Sequence, residues 1–298
     1  MDFLSVCETA KKWQISERSV RNYCAQGRII GAVLNGNSWL IPASSTKPQR
    51  KQKISKAPTN LLARLKLEQE AHIRGGIYHR LQIDLTYNSN HMEGSRLTHD
   101  QTRFIFETNT IGVKNESINV DDIIETTNHF RCIDLAIRQA NYMLSESFIK
   151  QIHLILKTGT SDANKAWFAV GDYKKLENEV GGADTAPPKE VAVKMKDLLR
   201  HYNAKKQKTL QDIIAFHYEF EKIHPFQDGN GRVGRLIMFK ECLRNGITPF
   251  IIEDDIKEFY YRGLREWKKE PGFLIDTCLT AQDRFKVYMD YFQLKYKD

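Results

Sequence analysis

Cysteine is scarce and scattered. Cys7, Cys24, Cys132, Cys242 and Cys278 are odd in number and never form a C-x-x-C pair, so neither a disulfide framework nor a zinc site is indicated. No run of about 18 apolar residues occurs, which removes a membrane-spanning helix from consideration. The opening Met1-Asp-Phe-Leu-Ser-Val-Cys-Glu8 lacks the basic-then-apolar form of a secretory signal. A cytoplasmic location and no membrane partner are therefore expected. There is no G-x-x-x-x-G-K-[ST], which excludes a P-loop, and no H-E-x-x-H. His91, His99, His129, His153 and His217 accordingly read as structural or surface histidines. What is present is a chain of 298 residues, 41% hydrophobic and 28% charged, ordinary for a globular protein of one or two domains.

The net charge of +8 is concentrated at one end. Residues 1–60 hold ten Lys/Arg against Asp2, Glu8 and Glu17, whereas the remaining 238 residues hold 35 basic against 34 acidic side chains. The basicity belongs to a small N-terminal unit and points to a polyanionic partner for that unit. Ser5 and Glu8 have capping-box spacing for a short helix to about Trp13. Ser16 can cap a second helix over 17–24, closed by Gly27, with Ala10, Val20 and Tyr23 as core. Gly31 to Pro42 then reads as two short strands joined by Asn35-Gly36, a strong hairpin signal. Helix, turn, helix and hairpin make a winged helix-turn-helix over residues 1–45. The run Ser16–Pro42 resembles the excisionase or MerR-like DNA-binding module. That resemblance implies a second helix in the major groove, with Arg18, Ser19, Arg21 and Asn22 as the DNA contacts. Residues 46–60, rich in Ser, Pro and basic side chains, read as a flexible linker.

From Leu61 the apolar spacing turns helical, with a break at Gly75-Gly76. Helical patterns cover 98–112 and 120–140, where Ile123, Ile124, Phe130, Ile133, Leu135 and Ala136 are core candidates, and a further helix runs over 148–156. Between Trp167 and Pro188, aromatic and β-branched residues among glycines suggest a hairpin. A helix resumes after Pro188.

The densest chemistry lies in His224-Pro-Phe-Gln-Asp-Gly-Asn-Gly-Arg-Val-Gly-Arg235. Leu210, Ile213, Ile214, Tyr218 and Ile223 carry a helix into this stretch, which Pro225 cannot continue. The glycines then turn the chain into a second helix over 232–243, ended by Asn245-Gly246. A helix N-terminus behind a glycine-rich turn presents free amides and partial positive charge to an anion. His224 is the candidate general base, and Asp228 is a hard oxygen ligand for Mg²⁺. Asn230 and the Gly229 and Gly231 amides suit a phosphate in its transition state. Arg232 and Arg235, three apart on one helix face, suit the outer phosphates. Phe226 reads as the core anchor of the loop.

This stretch resembles, almost letter for letter, the His-Pro-Phe-x-Asp-Gly-Asn-Gly-Arg-x-x-Arg signature of the Fic family. The resemblance extends over about 61–298 and implies a protein adenylyltransferase that moves AMP from ATP, with Mg²⁺, onto a Ser, Thr or Tyr hydroxyl of a protein or of itself. It also implies that the hairpin at about 167–188 is the flap that aligns the target by strand addition, although this chain has Lys174-Lys175 where the family often has Arg. Ser89-Asn-His-Met-Glu93-Gly94 resembles the family's N-terminal inhibitory motif, so that Ser89, Glu93 and Gly94 are inhibitory and Glu93 would pair with Arg235. Family members frequently self-associate, which makes a homodimer a further expectation.

The expected fold is mainly α: an all-helical Fic core with a short β-hairpin flap, preceded by the small winged helix-turn-helix. The expected function is self-inhibited AMP transfer by a nucleotidyltransferase that also carries a DNA-binding module. Two other readings stand beside it: a DNA-binding regulator whose Fic-like body senses nucleotide with little turnover, and a hydrolase that removes AMP at the same site.

Overall fold

A computed structural model describes residues 2–25, 28–36, 38–48, 57–112, 117–180 and 182–296. It divides into two compact units, residues 1–57 and 58–298. Gly27 and linker residues 49–56, both named in the sequence reading, lie outside the described residues.

In the first unit, β1 (Phe3–Leu4) precedes α1 (Val6–Trp13) and α2 (Glu17–Ala25), and β2 (Val33–Asn35) and β3 (Ser38–Pro42) follow. The Ser5–Glu8 capping box is formed in both directions. The Ser16 hydroxyl accepts the Ser19 amide at 3.2 Å, so each helix starts where a side chain satisfies amides that have no helical partner. β2 and β3 pair antiparallel with Asn35 opposite Ser38, and Gly36 has φ +60°, the left-handed geometry that suits a tight hairpin. β1 adds to the other side of β3, a third strand that two residues of sequence do not announce. Val6, Ala10, Trp13, Val20, Cys24, Ile29 and Ile41 form the core of this unit. Tyr23 is only partly buried against it.

The second unit is helical: α3 (Leu61–Glu70), α4 (Ile77–Met92), α5 (His99–Thr108), α6 (Val120–Arg138), α7 (Glu146–Lys157), α8 (Pro188–Ala204), α9 (Leu210–Ile223), α10 (Asn230–Asn245), α11 (Lys257–Glu266) and α12 (Gly272–Tyr291). Ile123 and Ile124 are half-buried, whereas Phe130, Ile133, Leu135 and Ala136 are core. Its short two-stranded hairpin pairs β4 (Glu179–Val180) with β5 (Ala183–Asp184). Among the described residues no helix is long and apolar enough to cross a membrane.

α10 is the axis of this unit. Every residue from Arg232 to Leu243 is buried, including the adjacent Lys240 and Glu241, whose charged groups meet at 2.7 Å. Buried ions must be paired to be tolerated, and this pair, with the Tyr202 hydroxyl donating to Glu241 at 2.9 Å, fixes the helix in register. Val233, Leu236, Ile237 and Phe239 face one apolar cluster with α4, α6 and α7, and Met238 and Cys242 face a second with α11 and α12.

Candidate active site

α9 ends because His224 adopts the left-handed conformation (φ +49°) and Pro225 follows. The loop back into α10 is held from inside. The Asn230 side chain accepts the Phe226 amide at 2.8 Å and donates to the Phe226 carbonyl at 2.8 Å, closing the turn like a clasp. Phe226 is fully buried, and its ring stacks on His153 of α7 with centroids 3.9 Å apart and planes 7° from parallel. His153 accepts the Gly171 amide at Nδ1 (2.9 Å), so its Nε2–H donates to the Asp228 carbonyl at 3.1 Å. Burial holds this imidazole neutral, with its pKa pushed down to about 3. Gly229, at φ +82°, supplies a turn conformation that a side chain would strain.

The His224 imidazole is 15% exposed. Its Nδ1 lies 3.3 Å from the Glu221 carbonyl, an acceptor that selects the Nδ1–H tautomer and leaves the Nε2 lone pair available. Burial depresses its pKa to about 4, against the opposing pull of that carbonyl. Burial therefore holds the imidazole in its neutral form near neutral pH.

Asp228 is held ionised. Burial would raise its carboxyl, but Arg232 and Lys157 outweigh that and bring it to about 2. Lys157 of α7 is the centre of a knot of charge: its Nζ contacts Glu125 at 2.6 Å, Asp162 at 3.0 Å and Asp228 at 2.7 Å. Arg232 also contacts Glu125 of α6 and lies 3.3 Å from Asp228. Among the described residues no three His, Cys, Asp or Glu side chains converge as a metal cage. Asp228 nevertheless fits Mg²⁺, which takes one or two carboxylates and leaves its other positions to phosphate and water. Its side chain is ionised and 46% exposed.

Arg235 lies on another face. Its Nη2 donates to Glu93 Oε1 at 2.7 Å and to the Ser89 carbonyl at 2.9 Å, and its Nε donates to the Ser89 hydroxyl at 3.0 Å. Ser89 closes the last turns of α4, Glu93 is its C-terminal cap, and Gly94 turns the chain away at φ +94°. No side chain caps the first turn of α10. A Cβ placed on Gly231 in that turn would sit 2.4 Å from Glu93 Oε1, so the Glu93 carboxylate lies against the first turn of α10.

The Asn230 side chain is bonded to both the amide and the carbonyl of Phe226. Arg232 and Arg235 are engaged in different directions: Glu125 and Asp228 hold the first toward α6, while Ser89 and Glu93 hold the second toward α4. His153 is a buried structural histidine, as its sequence context suggests, whereas Lys157, Glu125 and Asp162 join the site with no sign in the sequence. Their nearest motif is 71 residues away in the case of Lys157 and Asp228, and no local spacing announces such a contact. The approach to the hairpin is also bonded to the loop: Lys174 N–H donates to the Pro225 carbonyl at 2.9 Å and Asn178 Nδ2 to the Phe226 carbonyl at 3.0 Å. Lys174 is buried, with Nζ 2.6 Å from both Asn178 Oδ1 and Thr185 Oγ1. Lys175 is exposed.

Arg18, Arg21 and Asn22 are exposed on α2 at helical spacing, with Arg21 3.1 Å from Glu17. Ser19 is half-buried, its hydroxyl 2.9 Å from that of Ser16.

Similarity to known proteins follows the same geography. The chain is 31% identical over 187 residues to the protein adenylyltransferase Fic of Drosophila sechellia, an alignment covering 60% of this chain and 36% of that protein. The chain thus spans little more than a third of the curated relatives it matches. Its structure is similar to a Fic-domain-containing signaling protein of Bacteroides thetaiotaomicron (24% identity, TM-score 0.58, 78% of this chain and 91% of the other). It is also similar to a Fic family protein of Desulfovibrio desulfuricans (22% identity, TM-score 0.59, 80% and 73%). Residues 143–242, from the approach to α7 through nearly all of α10, match the Fic/DOC family, and the loop bearing His224 lies within them.

Proposed function

We propose that the protein transfers AMP from ATP to a hydroxyl of a protein, and that Glu93 restrains it. The observation that carries this reading is the N-terminus of α10, with a neutral imidazole in the loop before it and the Glu93 carboxylate, paired with Arg235, against its first turn. The likeness to adenylyltransferases supports the choice of AMP.

In this reading His224 Nε2 takes the proton of the target hydroxyl as its oxygen attacks the α-phosphorus. The bond to the bridging oxygen breaks and pyrophosphate leaves. The amides of the first turn of α10 bind the phosphate oxygens, where they need no reorganisation as negative charge builds. Asp228 would hold Mg²⁺, which supplies charge neutralisation to the phosphates. Arg235, once released from Glu93, binds the terminal phosphate. While the pair is closed, the guanidinium is occupied and the carboxylate repels an incoming polyphosphate from the same helix end. The flap root, bonded to Pro225 and Phe226, brings a target segment beside His224 by main-chain pairing.

The N-terminal unit supplies a separate function in this reading, DNA binding through Arg18, Arg21 and Asn22. The exposure of those three side chains on one helix and the local excess of basic residues support it.

The test is incubation with ATP labelled at the α-phosphate, with the protein alone and with a cell extract. Glu93→Gly is expected to label strongly, wild type weakly, and His224→Ala in either background not at all. Equal labelling by wild type and Glu93→Gly removes the restraint from the reading. Absence of label with Glu93→Gly removes AMP transfer itself.

A further inference from the structure

Asp228 is one member of a closed ring of two cations and two carboxylates. Lys157, the last residue of α7, donates from Nζ to Asp228 Oδ2 at 2.7 Å and to Glu125 Oε1 at 2.6 Å. Glu125 gives its other oxygen, Oε2, to Arg232 Nη1, and Arg232 Nη2 donates back to Asp228 Oδ2 at 3.3 Å. Asp162 takes a further Lys157 donor at 3.0 Å, so the three N–H groups of the ammonium meet three carboxylates. The Lys157 side chain is only 3% exposed, too deep to touch a bound substrate. The carboxylate of Asp228 is the ring's one broadly exposed member.

The ring is lopsided at Asp228. Both cations donate to the same oxygen, Oδ2, and Oδ1 receives neither. A guanidinium facing a carboxylate favours a fork, two parallel N–H···O bonds that use both oxygens, and Arg232 stands only four residues after Asp228. Two contacts prevent the fork. Glu125 occupies Arg232 Nη1, and Lys157 holds Asp228 by Oδ2. With Nη2 alone reaching Asp228, one oxygen of the carboxylate stays outside the ring.

We infer that Lys157 is a positioning residue for the metal: it tethers Asp228 by one oxygen, so that the other remains a ligand for Mg²⁺. The inference rests on Asp228 holding the Mg²⁺ of the reaction proposed above. Charge alone predicts the opposite effect. An ammonium 2.7 Å from a metal ligand repels the metal, so on charge alone its removal would tighten Mg²⁺. Tethering predicts weaker Mg²⁺, because an untethered Asp228 turns both oxygens onto Arg232. The sign of the change therefore separates the two.

Lys157→Met keeps the bulk of the stem and removes the ammonium. In the Glu93→Gly background, calorimetry with α,β-methylene ATP, which cannot release pyrophosphate, gives the affinity in EDTA and in excess Mg²⁺. The gain due to Mg²⁺ is expected to fall about tenfold in Lys157→Met, the scale of losing a partner of a metal ligand, with the affinity in EDTA unchanged. An undiminished gain overturns the inference, and so does an equal loss in EDTA and in Mg²⁺, the mark of a merely structural lysine. The second arm is a crystal structure of the ligand-free Lys157→Met chain, in which both Asp228 oxygens are expected on Arg232. Asp228 still bonded through Oδ2 alone overturns the inference. If Lys157→Met does not fold, Glu125→Gln, which releases Arg232 Nη1, takes its place in the crystal arm and should show the same fork. If Mg²⁺ adds nothing in Glu93→Gly itself, the functional reading fails, and the crystal structure still decides what Lys157 does.

Discussion

Glu93 and Arg235, 142 positions apart in sequence, meet at 2.7 Å directly over Gly231. The contact joins the last turn of α4 to the first turns of α10 and places a carboxylate where the helix most attracts one. A methyl group at position 231 would overlap Glu93 Oε1 (2.4 Å) and Arg235 Nη1 (2.9 Å). Both atoms end flexible side chains, so the fold can give way. Gly231→Ala is therefore expected to cost little stability, about 1 kcal/mol or less, while blocking phosphate approach. ATP titration by calorimetry should give at least tenfold weaker binding for Gly231→Ala in the Glu93→Gly background.

A second prediction concerns pH. A free histidine loses its proton near about 6.5, but His224 is held at about 4 by burial. Because its pKa is lowered, the base form is complete above that value and is lost only as pH falls toward it. In the Glu93→Gly protein, kcat should be flat from about pH 5.5 to 7.5, where an unperturbed histidine would halve the rate near about 6.5. A profile with its acid midpoint at the unperturbed value contradicts the buried neutral base.

The stacked His153 and Phe226 rings, with the hydrogen bonds of His153 to Gly171 and Asp228, bind the loop to α7. His153→Leu keeps the volume and removes both hydrogen bonds. The expected result is a loss of about 2 kcal/mol in urea unfolding and a fall of about tenfold in kcat, as the loop loses its reference point. Wild-type kcat in this variant would show that Asn230 and Phe226 hold the loop without it.

The N-terminal unit gives a prediction with its own internal control. Arg18→Ala and Arg21→Ala should each lower the dependence of duplex DNA binding on salt by about one phosphate contact. Ser19→Ala should leave that dependence unchanged, since its hydroxyl lies against Ser16 in the helix start. Failure of the wild-type chain to bind any duplex at low salt, measured by fluorescence anisotropy, would assign the module to a protein partner.

The parts of this protein that were legible in its sequence are those decided within a few residues. Ser5 and Glu8 form their capping box across three positions, the expected hairpin turns at Gly36, between the paired Asn35 and Ser38 and one residue later than Asn35-Gly36, and Pro225 and Gly229 punctuate α9 and α10. The misread or unread parts depend on distant chain segments. β1 exists because β3 has an open edge for it. Lys157 reaches Asp228 only after α7 packs beside the loop. Arg232 and Arg235 share a spacing that suggests a common direction, and the acids of α6 and α4 pull them apart. Residue type indicated the kind of chemistry at the site; tertiary packing determined which side chains remain free for it.

The burial of α10 on every side has a consequence for how such a site can be switched. A helix wedged into two cores, with Lys240 and Glu241 neutralising each other inside, cannot turn or slide without unpacking both. On the proposed reading, its first turn is a fixed berth for phosphate, and control falls to the Glu93 side chain moored beside it. Glu93 is at the very end of α4, and Gly94 behind it sits in a conformation open to glycine. On that reading a slip of the tether leaves the berth as it is.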